Sequence, residues 1–240
     1  MKAIIDLVII GILVVCAWSG WKKGLIMGIG GILCIVVSVY GANLLAETFS
    51  GDVIPAMRPF ASGFIEGRIA DSDSEVMKFM GWDDSAYSLN DLLEQNPDRQ
   101  EEFCAQCYTD LGLDGTTAGR LAEKTVRYAR ENGTALLDAV TEIACETVSY
   151  VGCFVLAFLL IAIILTVLGN LPNLSFRIPR LDIANNAAGA VFGLARGLML
   201  CALLVWALKF AGIVLGDSLT GSGLGGRLLE KDLLYRYLGL

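Results

Sequence analysis

Asn185-Asn186-Ala187-Ala188-Gly189-Ala190-Val191-Phe192-Gly193-Leu194-Ala195-Arg196-Gly197-Leu198 opens an apolar tract that runs on to about Ala211. Gly189, Gly193 and Gly197 recur every fourth residue, so on a helix they share one face and leave a groove of bare backbone. A second helix can approach such a groove closely. In a bilayer, lipid tails are as apolar as leucine and the hydrophobic effect gives helices no reason to associate. Close packing of small residues is then one of the few associating forces left. Arg196 lies inside the same tract, where a charge must find water, a lipid phosphate or a protein partner.

Composition sets the same frame. Of 240 residues, 55% are hydrophobic, and the mean hydropathy of +0.62 is well above that of an ordinary soluble domain. The formal charge of −7 is unevenly spread: residues 47–148 hold 8 Lys/Arg against 20 Asp/Glu, a balance of −12, and the rest holds 10 against 5, a balance of +5. An acidic insert in a mildly basic membrane protein would be repelled by nucleic-acid phosphates, and no basic patch interleaved with aromatics occurs, so nucleic acid is not an expected partner. There is no histidine, which removes histidine-based triads, histidine zinc ligands and imidazole proton shuttles together. No cofactor or metal is expected, and the chain reads as a non-enzyme.

Taken in order, Ala3 to Trp21 is apolar except for Asp6, long enough to cross a bilayer with a slight tilt. A cleavable signal peptide is the rival reading, because Ala17-Trp18-Ser19 weakly imitates a cleavage site. Lys22 and Lys23 follow directly and a second apolar run begins at once, which favours a retained helical hairpin with Trp18 and Trp21 at the interface. Gly24 to Ala46 carries no charge and forms the second span. Gly20, Gly24 and Gly28 repeat the four-residue spacing, with Gly31 on the next turn; spans two and four are therefore expected to pack through their glycines, Gly28 facing Gly193.

Residues 47–147 read as a helical, acidic, extracytoplasmic insert. Short helices are expected around Met57–Ile65, from Ser88 through Leu93, from Asn96-Pro97 to Gly112 with Phe103, Cys107 and Leu111 on one side, and from Thr116 or Thr117 to Asn132-Gly133. Asp71-Ser72-Asp73-Ser74-Glu75 reads as a solvated helix start. Leu136, Leu137, Val140, Ile143 and Ala144 lead into a third span at about 148–169. Arg177 and Arg180 follow in a short loop, and the fourth span runs over about 187–211. Lys209 near its end can carry its ammonium to the interface. From Asp217 to Leu240 an amphipathic tail follows. The expected fold is all-α, an integral membrane protein of two hairpins, 1–46 and 148–216, around the insert. Positive charges at Lys22, Lys23, Arg177 and Arg180, which abut the spans, favour the short loops in the cytoplasm with both termini and the insert outside; the opposite orientation draws on Lys2, Arg227, Lys231 and Arg236.

Candidate chemistry is sparse. Cys104-Ala105-Gln106-Cys107 places two thiols one helical turn apart, which suits core cysteines first and a redox pair or disulfide second; a structural zinc site would need further ligands. Arg196 has three readings: it snorkels to headgroups, pairs within the bundle, or lines an anion pathway. Asp6, the one carboxylate inside a span, lies toward the opposite face. Asn132-Gly133-Thr134 is a turn, or a glycosylation sequon where the host glycosylates.

These residues resemble a family. Asp6-Leu7, the Trp21-Lys22-Lys23-Gly24-Leu25 turn and, above all, Gly189 through Leu198 are similar to the colicin V production protein family of four-span bacterial cytoplasmic-membrane proteins, over about 4–46 and 147–212. Relatives often carry an Asp and a basic residue where Asn185-Asn186 stand here, and a second basic residue near Met27-Gly28, so a charge-dependent role does not carry over to those positions. The insert takes nothing from the resemblance. What the resemblance implies is a part in producing or exporting a toxin and in envelope maintenance. Some relatives place a trypsin-like protease after the fourth span and outside the cytoplasm; none follows here. The expectation is a membrane scaffold or accessory protein in contact with the bilayer, with room for a homo-oligomer and for a protein partner outside. The alternative is a small oligomeric transporter or channel with Arg196 in its pathway. The site candidates are Gly20, Gly24, Gly28, Gly189, Gly193 and Gly197 for packing, and Arg196, Asn185, Asn186, Lys23, Cys104 and Cys107 for function.

Overall fold

A computed structural model of the chain describes residues 2–79, 93, 95–170 and 182–215. All elements among them are helical: α1 (Lys2–Phe79), a 3-10 turn (Pro97–Arg99), α2 (Gln100–Asp110), α3 (Gly115–Asn132), α4 (Leu136–Asn170) and α5 (Asp182–Leu215). The chain divides into two compact units, one containing Met1–Thr48 and Val151–Leu208, the other Phe49–Tyr150 and Lys209–Leu219. Among the described residues, three stretches are long and apolar enough to cross a membrane: Ile5–Ala56, Leu136–Leu168 and Ile183–Phe210.

The first of these merges the two spans expected over 3–21 and 24–46. Helical hydrogen bonding runs straight through Lys22-Lys23, and the break falls at Gly24, whose φ of 76° and ψ of −179° are open in practice only to glycine. In a straight helix Leu13 and Gly31 would lie about 27 Å apart at about 1.5 Å per residue. Yet Leu13 lies beside Gly197 and Gly31 beside Arg196, its neighbour in sequence. The segments on either side of Gly24 therefore double back along the same face of α5.

Between Ala46 and Phe79 the expectation of a separate short helix does not hold, because α1 continues to Phe79. Met57–Ile65 and Asp71–Glu75 lie inside it, so the acidic run is not a helix start. Helices commonly stop at a residue in the left-handed region, and among the described residues only Gly24, Gly112 and Gly133 are glycines of positive φ; Gly51 and Gly63 stay helical. Pro55 and Pro59 lie within the helix, and each deprives it of one N–H donor without ending it.

In the first unit Ile9, Cys201 and Val205 form a buried cluster with Ile5, Ile12 and Leu13 against it. The Cys201 thiol donates to the Ile9 carbonyl at 3.7 Å. Phe154 meets Trp206 edge to face at 5.1 Å, a favoured aromatic geometry. Outward residues such as Leu7, Val14, Leu156, Ile163 and Val191 are exposed, as helices solvated by lipid require.

The second unit has a core of its own. Phe103, Cys107 and Leu111 are buried from α2, Ala118, Leu121, Ala122 and Val126 from α3, and Ala139, Val140 and Ile143 from α4. At its centre the Tyr108 hydroxyl shares a 2.7 Å hydrogen bond with Thr125 Oγ1 and donates to the Val140 carbonyl at 3.3 Å. Asp114, rather than Thr116 or Thr117, caps α3: its carboxylate accepts from the Thr117 N–H at 3.3 Å and from the Thr117 hydroxyl at 2.8 Å. The helix ends at Gly133, φ 63°. The expected start at Ser88, the loop with Arg177 and Arg180, and the tail from Asp217 lie outside the described residues.

Candidate functional site: the glycine seam and its charges

The seam is built where side chains are missing. A Cβ added at Gly20 would collide with the Gly189 carbonyl oxygen and lie 2.9 Å from Gly193 Cα; one at Gly189 would collide with the Gly20 carbonyl and lie 2.8 Å from Gly24 Cα. At Gly193 it would strike the Cys16 carbonyl, and at Gly197 it would meet Cys16 Cβ at 3.1 Å and Leu13 at 3.2 Å. The tightest approach therefore joins α5 to the segment of α1 before Gly24, not to the one after it. Gly28 faces Phe192 Cβ, 2.9 Å from an added Cβ, with Gly189 beyond, rather than the expected Gly193. The reason is the reversal: one helix face of α5 serves both arms of α1, and the bare backbone positions are shared between them.

Asn185 occupies the turn itself. The Leu25 N–H, which the break at Gly24 leaves without a helical acceptor, donates to Asn185 Oδ1 at 3.1 Å. A side-chain oxygen thus caps a helix start across 160 positions of sequence, doing what a local cap residue does in most helices. Gly24 also admits Asn185 physically, since an added Cβ would lie 2.5 Å from Asn185 Nδ2. Asn186 is half-buried next to it. Lys23 is exposed, and its neighbour Lys22 holds its ammonium 5.2 Å from the centre of the Trp18 ring, a cation–π contact at the exposed edge of the turn.

Arg196 lies one face away. Its Cδ and Nη1 sit 3.1 Å from where a Gly31 Cβ would be, so Gly31 provides the room for the guanidinium. Its Nε is buried without a hydrogen-bond partner, and no carboxylate of the described residues pairs with it. The four-residue spacing marked Gly20, Gly24 and Gly28; the space for Arg196 comes from Gly31, off that register.

Cys104 and Cys107 are in the second unit, both buried and neither in a disulfide. Burial, with Glu101 adding to it, pushes the Cys104 thiol from its usual 9.0 up to about 12. A redox thiol needs thiolate character and access, and Cys104 has neither. Lys209, expected at the interface, instead meets Asp114 at 3.7 Å within this unit, with side chains 10% and 22% exposed. Sequence periodicity gives no sign of that pair; the Asp114-x-x-Thr117 cap spacing marks only the acid.

A multi-pass helical membrane protein is the class these features define, with a bundle closed by glycine contacts and a polar cap at its turn. Residues 117–225 match the family described as colicin V production protein, a likeness that covers a little under half of the chain. No curated protein and no solved structure gives a match. The matched stretch takes in α3 from Thr117 and all of α4 and α5. It begins inside the acidic insert, which was expected to take nothing from the family, and does not extend over 4–46.

Proposed function

We propose that this chain is a non-enzymatic scaffold or accessory protein of the bacterial cytoplasmic membrane that assists production or export of a colicin V-like toxin and maintenance of the envelope. The observation that carries the reading is the family match over 117–225, which includes the glycine-lined α5. Four crossings fit best, two of them made by α1 on either side of Gly24, since both arms lie along α5. The exposed Lys22 and Lys23 at that turn favour a cytoplasmic turn, with the insert and both termini outside. There the insert, which has its own core, offers an acidic surface to a partner protein. The test is a toxin-secreting strain deleted for the gene. Secreted toxin should fall while intracellular toxin persists, and the wild-type chain should restore it; unchanged secretion overturns the reading. Crosslinking from the insert in intact membranes would then identify the partner.

The transporter or channel alternative draws on Arg196, whose guanidinium has no counter-charge among the described residues. An altered solute flux in liposomes on Arg196→Leu would favour it over the scaffold.

A further inference from the structure

Arg196 is the one charged residue between 183 and 208. A guanidinium in an apolar layer is tolerated only when something satisfies it, and the described part of the bundle does not: Nε is buried and bare, and every ion pair among the described residues lies elsewhere. The counter-charge must come from outside those residues.

Its position says from where. Gly31, against which the guanidinium rests, lies seven residues past the reversal at Gly24, or about 10 Å along the helix at about 1.5 Å per residue. Side chains on a helix lean toward its N-terminus, so on α5 Arg196 leans toward the Asn185 end, where Lys22, Lys23 and Trp18 stand. The residue as a whole is only half-buried. On the helix faces that border the contact, Met27 and Ile32 on α1 and Phe192, Met199 and Leu200 on α5 are apolar and half-buried. A fully hydrated anion is disfavoured at that depth, but a phosphate attached to acyl chains can reach it while its tails cover that apolar border.

We propose that Arg196 binds a phosphate oxyanion delivered by an anionic phospholipid, held in the groove between α5 and the arm of α1 that follows Gly24, with Gly31 making the space. Guanidinium and phosphate form a charge-assisted, two-pronged pair that an ammonium reproduces only in part. The inference does not rest on the accessory role proposed above.

The test uses the full chain in detergent, with native mass spectrometry reading retention of phosphatidylglycerol, of a diacylglycerol with the same chains, and of inorganic phosphate. Wild-type protein should keep phosphatidylglycerol and not the diacylglycerol. Arg196→Leu should weaken retention by about tenfold or more and Arg196→Lys by less, while Lys22→Gln with Lys23→Gln should leave most of it. Displacement of the lipid by millimolar inorganic phosphate would uphold the oxyanion site and reassign its source to free anion. Equal retention by wild type and Arg196→Leu overturns the proposal. Should Arg196→Leu fail to fold, wild-type protein retaining the diacylglycerol as well as phosphatidylglycerol overturns it equally.

Discussion

Gly20 and Gly11 are both glycines of the same helical arm, yet substitutions at them should act in opposite directions. At Gly20 any Cβ runs into the Gly189 carbonyl, whereas at Gly11, Gly30 and Gly152 an added Cβ meets nothing within 4 Å. Gly20→Leu should therefore abolish the folded bundle. Gly11→Ala and Gly152→Ala should be neutral or stabilise by up to about 1 kcal/mol through helix propensity. Thermal unfolding in detergent separates the two outcomes. Asn185→Ala, which removes the acceptor of the Leu25 N–H, should cost about 1 kcal/mol, and Asn185→Asp should recover most of that loss because it keeps an oxygen in place. Cys104 sets a pH prediction. Its folded-state value is raised above the usual 9.0 to about 12, so the unfolded chain loses its proton first as pH rises. Stability of the second unit should be unaffected by this thiol below about pH 8 and fall between about pH 9 and 12, as circular dichroism melts across that range would show.

Elements are secured unequally. Arg58 pairs with Glu142 at 2.9 Å, but the arginine side chain is 62% exposed, and such pairs contribute little. Asp114 both caps α3 and pairs with the nearly buried Lys209. Asp114→Ala should cost about 2 kcal/mol, as a lost cap and a stranded cation together; Glu142→Gln should cost less than about 1 kcal/mol. Chemical denaturation of the two variants side by side tests the ranking. At this scale the sequence was readable where a local signal existed. Asn132-Gly133 ends α3 and Phe103, Cys107 and Leu111 face one core because capping and periodicity are local. The run of α1 past Ala46 was not readable, since nothing local distinguishes a glycine that stays helical at 51 or 63 from one that does not at 24. The backbone angle at Gly24 is set by what packs against it.

For the molecule as a whole, the proposed orientation predicts that a cysteine placed at Lys23 reacts with an impermeant thiol reagent only from the cytoplasmic side, and one at the exposed Ala135 only from the other. Labelling of both from one side would overturn it. The sequence by itself determined that the chain is helical and membrane-embedded, that an acidic stretch interrupts it, and that histidine chemistry is excluded, because apolar run length, charge balance and composition do not depend on what touches what. It also marked the glycine faces, since a fourfold spacing is a property of one helix. Only the tertiary structure decided which helix each face meets: α5 takes both arms of α1, Gly20 rather than Gly28 makes the closest approach, Asn185 caps Leu25, and Gly31 houses Arg196. Those pairings join residues roughly 160 to 180 positions apart, and distance of that kind is settled by packing and not by any local preference of the chain.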